Sequence, residues 1–182
     1  MSDPTTHTDL VLRALARYEA RLLAYAARLV RDPERARDVV QETFLRLCAR
    51  RDARELEDRL GEWLYTVCRH LCLDVRKKER AMATTSEGAL AARASADPGP
   101  EAHAERRYGV SRVLRALAGL PENQREVLLL KFQHGLSYRE IAGVTDLSAT
   151  NVGFLIHRGL KSLRERLNRD ETSAAEATGG AR

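Results

Sequence analysis

The sequence predicts an all-α protein, two small helical domains joined by a flexible linker, the second containing a helix-turn-helix. Three observations carry that reading. Apolar residues recur at three- and four-residue spacing through most of residues 9–83 and 106–169, the period of helices buried along one face. Between them, residues 84–105 (TTSEGALAARASADPGPEAHAE) shift to Ala, Ser, Gly and Pro and lose that period, as a tether does. Ser137 to Leu167 reads as two capped helices around a short turn. Residues 1–8 are polar and read as loose, and residues 170–182 read as a disordered tail.

The totals agree with small helical domains that have aliphatic cores. Of 182 residues, 31% are charged and only 5% aromatic. The net charge of +5 makes a polyanionic partner plausible without separating nucleic acid from a membrane surface. No apolar run reaches the length of a membrane span, and the first residues do not read as a signal peptide. Cys48, Cys68 and Cys72 are odd in number and lack a disulfide-framework pattern, which predicts reduced thiols and a cytoplasmic protein.

In order, Asp9 to about Arg31 is helical by its Leu12, Leu15, Leu22, Leu23, Ala26 and Leu29. Asp32-Pro33 then supplies an N-cap followed by proline at the first helical position. The helix it starts carries Ala36, Val39, Val40, Thr43, Phe44 and Leu47 on one stripe. Asp38, Gln41, Glu42 and Arg46 are left to solvent or a partner. Residues 50–60 are charged, and coil and a short helix both stay open. The third helix, about Gly61–Ala83, places Leu60, Leu64, Val67, Cys68, Leu71 and Val75 on its inner stripe. Trp63, His70 and Lys77 repeat every seven residues on another face, beside Thr66 and Asp74. An aromatic and basic side chains on one face can stack unpaired bases and hold phosphates; equally, Trp63 can border the core beside solvated charges.

After the linker, Val110, Val113, Leu114 and Leu117 resume a helical pattern, which Gly119-Leu120-Pro121 breaks. Val127, Leu128, Leu130 and Phe132 supply the next apolar face, and Gly135 is its stop signal. Ser137 with Glu140 forms a capping box, Asp146 suits a left-handed turn residue, and Ser148 can cap the last helix. At 100° per residue, Val152, Ile156, Gly159, Leu163 and Leu167 line one side of that helix. Thr150, Phe154, His157, Arg158, Lys161 and Arg164 line the other. A polar, basic outer face on the second helix of such a pair is what insertion into a DNA major groove requires; a solvated helical hairpin is the plainer alternative.

Catalysis finds no support. The chain has no glycine-rich phosphate loop, no His-Glu-x-x-His, no Cys-x-x-Cys and no nucleophile–base pair. Cys68 and Cys72 sit one turn apart, but His70 points about 160° from Cys68, so all three cysteines read as small buried thiols rather than metal ligands. No cofactor, metal or small-molecule substrate is expected.

Four segments, DVVQETFLRL (38–47), EWLYTVCRHLCLD (62–74), LPENQREVLLL (120–130) and LSYREIAGVTDLS (136–148), resemble successive signatures of bacterial RNA polymerase sigma factors. The small two-domain extracytoplasmic-function (ECF) group is most similar, over residues 10–82 and 107–168. The resemblance implies a melting domain (9–83), a linker (84–105) running toward the RNA exit path, and an upstream-reading domain (106–169). It places Asp38, Gln41, Glu42 and Leu45 against the clamp coiled coil of core RNA polymerase. Trp63, Thr66, His70 and Lys77, with the loop before Trp63, would meet the minus-ten element as a single strand with one base extruded. Thr150, Asn151, Phe154, His157, Arg158 and Lys161 would meet the minus-thirty-five element of promoter DNA. An anti-sigma factor is implied as a further partner.

Two departures from the family stand out. It usually has Asn where this chain has His70, and commonly Thr-Val-Lys/Arg-Ser-Arg where this chain has Asn151-Val152-Gly153-Phe154-Leu155. Phe154 is left to meet a thymine methyl or an inhibitor protein. A stand-alone helix-turn-helix regulator with an N-terminal sensing or dimerisation domain explains the C-terminal half equally well. It leaves residues 38–47 and 62–74 without a task. An adaptor working only through protein contacts is a third reading.

Overall fold

The computed structural model describes the backbone of residues 4–50, 53–85 and 112–179, and the side chains of 7–50, 55–82 and 112–169. The described residues are helices and short turns. They gather into two compact units, one built mainly from residues 4–85 and one from residues 112–179.

In the first unit, α1 (Pro4–Val30), α2 (Pro33–Ala49) and α3 (Leu60–Thr85) each pack on the other two, and a 3-10 helix (Ala53–Arg59) closes against α1 and α3. The Asp32 side chain accepts from the backbone N–H of Glu34 and Arg35, so α2 starts at the proline as expected. Its buried residues are Ala36, Val39, Val40, Thr43, Phe44 and Leu47, the stripe read from sequence. The Thr43 hydroxyl is buried too, and donates to the Val39 carbonyl at 2.8 Å. Arg31 precedes the cap at φ 58°, one left-handed residue that turns the chain from α1 into α2.

The other two helices correct the sequence reading. α1 begins at Pro4, inside the segment read as loose, and buries Leu10, Val11, Ala14, Leu22, Tyr25, Ala26 and Val30, while Leu12 faces solvent. α3 buries Leu60, Leu64, Tyr65, Cys68 and Cys72, leaving Val67, Leu71 and Val75 only half-buried. Tyr25 and Tyr65 meet edge to face with ring centroids 5.4 Å apart, joining α1 to α3 at the centre of the unit. Exposed Arg13 pairs with Glu57 at 3.0 Å, a pin on the 3-10 helix worth at most about 1 kcal/mol.

In the second unit, α4 is helical over its described residues 112–118, followed by α5 (Glu122–Phe132), α6 (Tyr138–Thr145) and α7 (Ala149–Gly179). The linker read over 84–105 lies almost wholly outside the described residues. Val113 and Leu114, expected inside, are exposed; Ala116 and Leu120 are buried instead. On α5 the buried residues are Val127 to Leu130, and Phe132 at the helix end is 64% exposed. Gly135 takes φ 76°, which lets the chain reverse toward α6. α7 continues past Thr172 to Gly179, where Ala174, Ala175, Glu176 and Ala177 are strong helix formers.

α5 and α7 pack closely because Gly159 has no side chain. A Cβ there would come within 2.9 Å of a Leu128 methyl. The capping box is complete: Ser137 N–H donates to Glu140 Oε2 at 2.7 Å, and Glu140 N–H donates to Ser137 Oγ at 3.2 Å. Ser137→Ala should therefore cost the second unit about 1 kcal/mol in a denaturant titration of the full chain. An unchanged midpoint would show that α6 is held by packing alone.

Candidate nucleic-acid interface

α6 and α7 meet at a corner set by one residue. Asp146 sits at φ 57°, ψ 33°, the left-handed conformation its short polar side chain tolerates. Asn151 N–H donates to Ser148 Oγ at 3.1 Å, capping α7. Ile141, Val144, Val152, Leu155 and Ile156 are buried beneath the corner. With those residues turned in, Thr150, Asn151, Phe154, His157, Arg158 and Lys161 all stand exposed, spread over about 120° of helix. The structure thus brings every residue expected on this face together.

Phe154 is 55% exposed, and the Arg158 guanidinium carbon lies 5.5 Å from its ring centroid. A cation–π contact draws on the charge of the guanidinium and leaves its N–H donors able to bind. Tyr138 and Lys131 were missed from sequence. The Tyr138 ring lies against Gly153, where a Cβ would sit 3.5 Å from it, and the Lys131 amine is 5.4 Å from its centroid. The signal in the sequence is Gly153 itself: a helical glycine leaves room that a neighbouring ring can fill.

On α3, Trp63, Thr66, His70 and Lys77 fall within about 60° of one another. His70 and Lys77 are exposed; Trp63 and Thr66 are half-buried. The Thr66 hydroxyl donates to the Glu62 carbonyl at 2.8 Å, so it offers a ligand only its lone pairs. Arg50, also missed, covers one side of Trp63 with its guanidinium carbon 5.3 Å from the ring.

On α2, Asp38, Gln41 and Leu45 are exposed and Glu42 is half-buried, opposite the core stripe. Glu42 Oε1 accepts from Arg46 Nε at 2.9 Å. Leu45, 55% exposed among polar neighbours, is the feature of this face that folding does not explain.

The thiols split, which corrects the expectation that all three are buried. Cys68 and Cys72 are buried and Cys48 is exposed. Hydrogen bonding with the Cys72 thiol, then burial, push the Cys68 thiol far above its ordinary range; burial likewise raises Tyr65. Both groups favour the native state while protonated in both states. That contribution is lost as pH rises above about 8.5, where the unfolded thiol ionises first. Native protein at pH 8 should accept one iodoacetamide per chain, at Cys48, and three once unfolded, by intact mass. Modification of Cys68 in the native state would contradict the burial.

Among the described residues, no group of His, Cys, Asp and Glu is placed to hold a metal, and no helix is long and apolar enough to cross a membrane.

Known proteins similar to this chain point the same way for both units. The family described as sigma-70 region 2 matches residues 14–82, and sigma-70, region 4 matches residues 111–163. The chain is 32% identical over 142 residues to the ECF RNA polymerase sigma factor EcfG of Rhodopseudomonas palustris, covering 78% of this chain and 76% of that protein. It is 32% identical over 161 residues to RNA polymerase sigma factor CarQ of Myxococcus xanthus, covering 88% and 90%. Its fold is similar to sigma factor RpoE of Bartonella quintana, solved in complex with the anti-sigma factor NepR: TM-score 0.71 at 24% identity, over 88% of this chain and 97% of that one.

Proposed function

The chain belongs to the ECF group of RNA polymerase sigma factors, and on that premise we propose how its two units divide promoter recognition. As a sigma factor it binds core RNA polymerase and directs transcription initiation at promoters. The outer face of α7 enters the major groove of the minus-thirty-five element, with Arg158 and Asn151 offering hydrogen bonds to base edges and Lys161 a phosphate contact. The α3 face receives the melted minus-ten strand: the open side of Trp63 stacks an extruded base, His70 reads its edge, and Lys77 holds the backbone. Asp38, Gln41, Glu42 and Leu45 dock on the polymerase clamp, where Leu45 gains the burial it lacks in the free chain.

The observation that carries this reading is the single exposed face of α7, capped, cornered and basic. An anti-sigma factor is a further partner, as in the complex of the RpoE relative. The protein acts in the cytoplasm and catalyses nothing itself.

Run-off transcription with sigma-free core enzyme, on a library with both promoter elements randomised, tests the proposal. Transcripts that start at a shared distance from a selected pair of elements are expected. Tight, specific binding of the isolated chain to a duplex operator, with no transcripts, would favour the stand-alone regulator. Trp63→Ala should lower open-complex formation roughly tenfold, the scale of 1–3 kcal/mol for one stacked base. A template already unpaired across the minus-ten element should restore most of it. Loss that persists on that template would place Trp63 in folding rather than melting.

A further inference from the structure

The recognition face carries one large apolar side chain, and nothing in the fold needs it there. The inner positions of α7 are filled by Val152, Leu155, Ile156 and Gly159, all buried, while Phe154 stands more than half exposed on the opposite side. Its neighbours on the face, Thr150, Asn151, His157, Arg158 and Lys161, are polar or basic. The next exposed apolar residue on the helix, Leu160, sits about 120° round from it. Apart from the Tyr138 ring at Gly153, about 100° round the helix, Phe154 stands among hydrogen-bonding groups, which falls short of the broad apolar patch a protein partner would cover. It does suit the one apolar group in the major groove, the C5-methyl of thymine.

The second observation is the cation–π pair. The Arg158 guanidinium carbon lies 5.5 Å from the Phe154 ring centroid, which sets the fork beside the apolar surface, and no ion pair among the described contacts takes its donors. Guanine, through O6 and N7, is the base an arginine fork most often reads. Ring and fork are separated by a distance comparable to one or two base-pair rises of about 3.4 Å, so they reach neighbouring base pairs. We propose that Phe154 and Arg158 act as one reading unit for a thymine next to a guanine in the upstream promoter element, the ring covering the thymine methyl and the fork pairing with the guanine.

This rests on the reading that α7 enters the major groove, and the test separates the two. Holoenzyme assembled from core polymerase and the full chain selects active promoters from the randomised library. Selection should enrich a thymine beside a guanine in the upstream element. Replacing that thymine by deoxyuridine, which deletes only the methyl, should lower open-complex formation roughly three- to fivefold, the loss of one buried methyl group. Deoxyuridine at other upstream positions should have no effect. Phe154→Ala holoenzyme should lose the sensitivity to deoxyuridine while still selecting the guanine; Phe154→Leu should keep part of it.

A wild-type enzyme indifferent to the methyl overturns the proposal without any variant. So does a Phe154→Ala enzyme as sensitive as wild type. Absence of transcription from the whole library overturns the sigma reading itself, and this inference with it.

Discussion

Arg158→Ala should cut initiation from promoters that depend on the upstream element by between roughly fivefold and a hundredfold, the equivalent of about 1–3 kcal/mol for a lost bidentate base contact. The side chain is exposed, its guanidinium carbon lies 5.5 Å from the Phe154 ring centroid, and no ion pair within α7 competes for its donors among the described contacts. Because the side chain is exposed, its loss should fall on binding and leave folding alone, since surface substitutions of this kind shift stability by less than about 0.5 kcal/mol. Lys161→Ala gives the contrast. A phosphate contact weakens binding to all sequences alike and lowers the slope of log K against log salt by about one. Abortive-initiation titrations across a salt series, with both variants, separate the two. If neither variant changes promoter activity, the chain works through protein contacts only and the adaptor reading stands.

Leu64→Ala should destabilise the first unit by about 2–5 kcal/mol, because the side chain is wholly buried and α1 and α2 both pack on the helix that carries it. A small domain holds about 5–15 kcal/mol in all, so a drop of ten degrees or more in its thermal transition is expected. Leu45→Ala is the matched control, an equal deletion at a 55% exposed site on α2. It should leave the transition in place and weaken capture of core polymerase instead. Equal thermal shifts in the two variants would mean that Leu45 is buried in solution.

How much of this was legible follows from how many neighbours each helix has. α2 presents one stripe to the core, and all six of its buried residues followed from spacing, with Asp32-Pro33 marking the start. The α6–α7 corner was equally readable, since Ser137, Glu140, Asp146 and Ser148 each signal through their own backbone. α1 was harder. It packs on the 3-10 helix as well as on the other two helices, so its buried arc is wider, and counting leucines selected Leu12 over Val11 and Ala14. Tyr25 and Tyr65 escaped because a phenol reads as amphipathic, whereas each here packs on the other's ring.

Phe132 went wrong for a different reason. It lies at the last position of α5, beyond the reach of the helices that cover Leu128 and Leu130. On the interfaces, spacing located the outward faces of α2, α3 and α7. It could not show that Arg50 already sits on Trp63, or that Tyr138 fills the space at Gly153. Those contacts join residues far apart in sequence, and periodicity within one helix carries no information about them.

The unequal placement of the three sulfurs has a practical side. Cys48 can be joined to a maleimide dye in the unaltered chain, with Cys68 and Cys72 sealed inside and no substitution required. The label would ride on the same helix as Leu45, three residues along and near the outer surface of α2. Its brightness and anisotropy would then follow docking on the polymerase clamp in real time.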